Sequence, residues 1–204
     1  QMRLIDTHSH LFLEEFSEDF PQVIERARAA GVTHIFMPNI DSTTIEAMLS
    51  ACSVYKGYCF PMIGLHPTSV NANYEKELEI VARELKFSKE YVAIGEIGMD
   101  LYWDKTYLKE QQIVLDKQVN WALEYDLPIV IHCRDAFDYI YKVLEPYKKT
   151  PLRGIFHSFT GTAEEATRVL EFSDFFIGIN GVVTFKKSHL PEILAGIPLE
   201  KIVL

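Results

Sequence analysis

Eight short apolar runs, each set apart from the next by a longer amphipathic stretch, leave this chain few folds to choose from. The runs are "RLIDTHSHL", "THIFMPNI", "CFPMIGLHP", "YVAIGEIGM", "PIVIHC", "RGIFHSF", "FFIGING" and, at the end, "KIVL". Helical periodicity falls between them, over residues 20–30, 43–55, 74–87, 107–125, 136–147 and 163–171. Nearly continuous apolar strands alternating with helices imply parallel strands covered on both faces and joined by right-handed crossovers. Eight of them predict an α/β chain folded as a (β/α)8 TIM barrel, one domain over residues 1–204. An open doubly wound sheet is the alternative, but it rarely needs eight parallel strands, and no Gly-x-Gly-x-x-Gly follows the first run. The eighth run is the last in the sequence, whereas a barrel of this type carries a further loop, an eighth helix and roughly 250 residues. The expectation is therefore a barrel truncated after strand eight, its final loop and C-terminal helix absent.

Bulk composition agrees with a globular enzyme and narrows its class. Of 204 residues, 48% are hydrophobic and 24% charged, enough to bury one large core. No run approaches the roughly 18–20 apolar residues of a membrane helix, and the start lacks the layout of a signal peptide. A cytoplasmic protein without a membrane partner is expected, and nothing points to an obligate protein partner. The three cysteines, Cys52, Cys59 and Cys133, show no Cys-x-x-Cys spacing and read as reduced, buried thiols. A net charge of −9 argues against a protein that coats nucleic acid, since such binding needs an excess of Lys and Arg. It leaves room for an enzyme that grips one strand end in a pocket, and it suits a site that gathers divalent cations.

Polar residues interrupt the apolar runs at particular places. Asp6, His8 and His10 close the first run, and in an extended strand all three share a face. That face is either a polar stripe or half of a metal site. His66 follows strand three, Glu96 lies in strand four, His132 ends strand five and His157 lies near the end of strand six. All fall toward strand C-termini, where barrel active sites are built. Each alone has an ordinary explanation: a turn residue for His66, a capping partner for Glu96, satisfied core histidines for His132 and His157. Together they would place several imidazoles and a carboxylate within apolar strands, a costly arrangement unless they are paired, and a metal pairs several at once. The number of ligands exceeds what one tetrahedral site requires, so two divalent ions bridged by Glu96 are expected, serving a hydrolase.

The ordered segments "DTHSHL", "GLHP", "GEIGMD", "IHCRDA" and "FHSFTG", with "GINGVVTFKKS" after strand seven, closely resemble the signature segments of the TatD-type metal-dependent deoxyribonucleases, amidohydrolase-like barrels. The resemblance runs from Ile5 to the last residue. It implies that His8 and His10 bind one ion, that Glu96 bridges, and that His132 and His157 hold the second. It also implies an aspartate completing the first ion just beyond strand eight, past the "KIVL" on which this sequence ends. Mg2+ or Mn2+ would support turnover; the histidine-rich set would equally hold Zn2+ or Ni2+.

The amidohydrolase-like barrel hosts several chemistries, so cations near its mouth carry the substrate argument. Arg134 follows His132 by two residues, and Lys186 and Lys187 follow strand seven. An anionic substrate would meet positive charge there on an otherwise acidic protein. The expected activity is that of a 3'-5' exonuclease acting at single-stranded DNA ends, with Glu96, His66 and Arg134 catalytic and with Arg134 and Lys186 binding substrate. The alternative is a small-molecule or aminoacyl ester or amide hydrolase using the same ions. A non-catalytic module is a third possibility, distinguished by failure to retain metal.

Overall fold

Eight parallel strands are present in the order the sequence predicts, and a computed structural model describes residues 2–204. The strands are β1 (Leu4–Asp6), β2 (Val32–Pro38), β3 (Cys59–Met62), β4 (Ile94–Asp100), β5 (Ile129–Arg134), β6 (Gly154–Phe156), β7 (Phe175–Gly178) and β8 (Ile202–Val203). They form two ladders, β1-β2-β3 and β4-β5-β6-β7-β8. One seam between the ladders is spanned by the Ile63–Ile94 bridge, the other by the Thr7 N–H donating to the Leu204 carbonyl at 2.9 Å. Continuous hydrogen bonding thus breaks at both seams of the barrel, while the order of strands around it is kept.

Helices α1 (Phe20–Ala29), α2 (Ile45–Val54), α3 (Tyr74–Phe87), α4 (Leu108–Glu124), α5 (Phe137–Leu144) and α6 (Ala163–Val169) lie within the stretches expected from periodicity. A seventh, α7 (Leu190–Leu194), escaped the sequence reading: with Pro191 in its first turn it spans only five residues, too few to show a period. Most of the core lies between strands and helices. Ile129, Ile131 and Cys133 of β5 point outward into it, while Val130 joins Met62 and Ala93 in a smaller cluster. By the same alternation His132 shares the face of Val130. Burial pushes the thiols of Cys52 and Cys133 up to about 12 and that of Cys59 to about 11, so none is a nucleophile near neutral pH.

Strand β1 departs from the expected pattern. It ends at Asp6, and the carboxylate folds back to accept hydrogen bonds from the His8 N–H (3.0 Å) and the Ser9 hydroxyl (2.9 Å). Asp6, His8 and His10 therefore do not form one stripe of an extended strand; the histidines ride on a loop that Asp6 closes.

Two glutamines of α4 hold backbone just beyond β3 and at the end of β4. Gln118, fully buried, accepts from the Leu65 N–H (2.8 Å) and donates to the Leu65 carbonyl (3.3 Å), just before His66. One heptad earlier, Gln111 treats Asp100 in the same way, at 2.8 and 3.0 Å. Both side chains replace ladder partners that the strand ends lack. Replacing Gln118 with Ala strands two buried backbone groups, each costing about 1–3 kcal/mol. Chemical denaturation should show a loss of about 2–6 kcal/mol; a change below roughly 0.5 kcal/mol would remove this bracing role.

Candidate metal and active site

Glu96 is delivered to the barrel mouth by a break in register. Gly95 pairs with Val130 and Ile97 with Ile131, so Glu96 is an extra residue opposite no partner, and the bulge re-aims its side chain. Its backbone is held by the residue that follows β2, the Glu96 N–H donating to the Asn39 carbonyl at 3.2 Å. Two residues on, Gly98 has φ +141°, and a Cβ there would lie 1.9 Å from the His132 carbonyl oxygen. Only glycine lets β4 approach β5 closely enough to set Glu96 beside His132.

The Glu96 carboxylate is only 3% exposed, and four imidazoles surround it. The Nε2 atoms of His8 and His10 each lie 3.1 Å from Oε2. His132 Nδ1 lies 3.2 Å from Oε1, and His66 Nε2 lies 3.6 Å from the same oxygen. Burial works against the anion, but the hydrogen bonds from His10, His132, His66 and His8 outweigh it and hold Glu96 well below the usual carboxylate range. The His157 ring stacks on His8, with centroids 3.3 Å apart and planes 5° apart. Burial, followed by the neighbouring His8, pushes His157 down to about 3, which keeps its lone pair free near neutral pH.

The proton inventory of this cluster favours cations. His8 and His10 approach Nε2 to Nε2 at 3.2 Å over one carboxylate oxygen, while both Nδ1 atoms are buried without a partner among the described residues. Two N–H donors facing each other repel, and a lone pair facing the carboxylate repels as well. His132 lies between two carboxylates, Glu96 and Asp100, the latter 2.8 Å from Nε2 through Oδ2. Burial lowers the imidazolium's stability, yet the two anions together raise the His132 pKa. A divalent ion on Nδ1, with Asp100 steadying Nε2–H, satisfies the same geometry, and carboxylate–histidine–metal relays are common.

The side chains able to converge on an ion fall into two groups that share Glu96: His8, Glu96 and His157, and His66, Glu96 and His132. This partition differs from the one implied by resemblance, which joined His132 to His157. His66 also has a proton of fixed location. Its Nδ1 accepts the Thr68 N–H at 3.1 Å, so in the neutral ring Nε2 carries the proton and faces Glu96 as a donor. In that tautomer the ring faces the site as a hydrogen-bond donor.

Beside the cluster opens a groove of about 930 Å3 that reaches from His157 and Arg134 past Phe137 and Phe159 to Lys187 and His189. Arg134 stands where expected, at the exposed end of β5. Lys186 does not line the groove; its neighbour Lys187 does. Asp100, Gln111, Gln118 and Asn39 were missed in the sequence. The signal for the glutamines was there, polar residues at positions 111 and 118 of the stripe that also holds Val114, Leu115 and Ala122. Asn39 is fully buried and donates to the carbonyls of Asp41 and Gly64, both at 3.0 Å.

Comparison with known proteins agrees with this architecture. The model of the family described as TatD related DNase matches residues 5–204. A relative from Bacillus subtilis, the uncharacterized metal-dependent hydrolase YabD, is 35% identical over 202 residues, covering 98% of this chain and 78% of that protein. The 3'-5' ssDNA/RNA exonuclease TatD of Pantoea is 32% identical over 203 residues, covering 98% of this chain and 77% of its own length. Among solved structures, the TatD homolog YjjV of Escherichia coli superposes with a TM-score of 0.91 at 30% identity, over 99% of this chain and 78% of that one. With a matching family model over nearly its whole length and a TIM-barrel neighbour this close, the chain belongs to the TatD-related DNase family of metal-dependent hydrolases.

Proposed function

We propose that this protein hydrolyses phosphodiester bonds at single-stranded DNA ends, in the manner of a 3'-5' exonuclease, with two divalent ions held at the Glu96 cluster. The observation that carries the reading is one buried carboxylate ringed by imidazoles, opening onto a groove where Arg134 and Lys187 supply positive charge on a protein of net charge −9. Relatives named as ssDNA/RNA exonucleases, 32% and 30% identical, add support.

Glu96 would bridge the two ions, with His8, His10 and His157 on one side and His132 on the other. Mg2+ or Mn2+ suits turnover, and Zn2+ or Ni2+ suits the imidazoles. Such ions, when bound, lower the pKa of a water and offset charge developing on phosphate oxygens. The chain's own groups do the rest. Asp100 holds the His132 ring, His66 presents an N–H to an incoming oxygen, and Arg134 donates to the phosphate through a planar fork. Of the two lysines after β7 that the sequence singles out, Lys187 lines the groove and adds positive charge to it. Apolar groove residues, Phe137, Phe159 and Leu190 among them, favour a second reading in which a small-molecule or aminoacyl ester or amide is the substrate. Chelator-sensitive cleavage of labelled single-stranded oligonucleotides, set against a panel of esters and amides, separates the two.

Three outcomes are expected. Glu96→Gln should keep the fold, lower metal content as read by elemental analysis, and cut hydrolysis by at least about 100-fold, since a neutral amide balances neither cation. Full metal content and full rate in that variant would remove the bridging role. Arg134→Lys should reduce oligonucleotide cleavage roughly 10-fold or more, because the ammonium cannot donate bidentately. An equal loss on a neutral ester would make Arg134 structural. Removal of divalent ions with a chelator should abolish activity, and adding back Mg2+ or Mn2+ should restore it; turnover that survives chelation would sink the metal-dependent scheme.

A further inference from the structure

Two aromatic side chains at the rim of the site are left largely in water. Trp103 is 79% exposed and Tyr102 49%, on the loop that leaves β4. Large aromatics are usually placed where their surface is used, so an adjacent pair left in water beside a site calls for an occupant. Their placement is fixed. The Tyr102 N–H donates to Asp100 Oδ1 at 3.1 Å, and the other oxygen of Asp100 meets His132. The Arg134 guanidinium lies over the Tyr102 ring, 3.7 Å from its centroid, and 5.7 Å from that of Trp103. The Tyr102 and Trp103 rings meet edge to face at 4.7 Å. One face of Tyr102 is therefore covered by a cation, while the Trp103 indole stays open. It walls a recess of about 170 Å3 shared with Pro67, Thr68 and Tyr107.

We infer that Trp103 is the stacking platform for the terminal base of a single-stranded nucleic acid, a role that rests on the nuclease reading above. Every base has a π-face, so a tryptophan at this point holds a strand end without reading its sequence. Arg134, held over the Tyr102 ring, stands where its N–H groups can meet the phosphate next to the stacked base. The arrangement bears on substrate choice: a single strand always offers an unpaired terminal base to the indole. Trp103 is thus a specificity residue, and the reacting bond lies on the Asp100 and His132 side of it.

The test uses short single-stranded oligodeoxynucleotides with a phosphorothioate linkage at the 3' end, ending either in thymidine or in an abasic nucleotide. Binding is followed by fluorescence anisotropy of a 5' label. For the unaltered protein, loss of the terminal base should raise Kd by roughly 5- to 150-fold, the range of base–aromatic stacking. Trp103→Ala should bring the two ligands to the same Kd, and Trp103→Phe should restore most of the difference. In a Trp121→Phe background, where Trp103 is the remaining indole, the thymidine-ended strand should quench intrinsic fluorescence and the abasic-ended strand should not. A Kd indifferent to the terminal base, or a difference that persists in Trp103→Ala, overturns this inference alone. No binding of either strand by the unaltered protein overturns the nuclease reading with it.

Discussion

A carboxylate buried to 3% exposure among imidazoles is the constraint around which the rest of this molecule is arranged. An isolated anion in that position would cost many kcal/mol, and it is retained because partners surround it. Those partners come from the loops after β1 and β3 and from β5, far apart in sequence. A barrel whose strands end at one rim is an economical way of bringing them together. The bulge at Glu96, the side-chain-free Gly98 and the contact of β4 with Asn39 all serve to place that one carboxylate.

A second layer fixes the first. Gln111 and Gln118 come from one face of α4, a heptad apart, and each takes both backbone groups of a strand-end residue. Asp100 in turn orients His132, and Thr68 sets the tautomer of His66. These contacts are inexpensive for the fold because α4 packs against β4 in any case. Their effect is to hold the imidazoles within hydrogen-bonding distance of Glu96 without relying on loop stiffness. The rim is also asymmetric. Tyr102 and Trp103 stand on one flank, the groove leading to Lys187 opens on the other, and Arg134 touches both.

Much of this was legible in the sequence, and the parts that were not share a cause. Strand–helix alternation predicts the barrel, and the six long helices lie within the expected stretches. Helix α7 was missed because five residues cannot display a 3.6-residue period. Strand β1 was read as too long because Asp6 suits both an extended strand and a side chain closing a loop on itself, and local sequence does not separate the two.

By itself the sequence determined the kind of chemistry available. Histidines and a glutamate at strand ends commit the chain to paired, buried polar groups, whatever their exact distances, because nothing else in an apolar barrel could satisfy them. Only the tertiary structure decided who meets whom. His157 stacks on His8, His66 turns a proton toward Glu96, Asp100 and two glutamines brace the strand ends, and Trp103 is left facing water. Those outcomes depend on register, on a one-residue bulge and on the curvature that folds the strands around a common axis. They are properties of contacts between segments up to some 150 residues apart, as for His8 with His157, and a one-dimensional pattern carries no distances across the barrel.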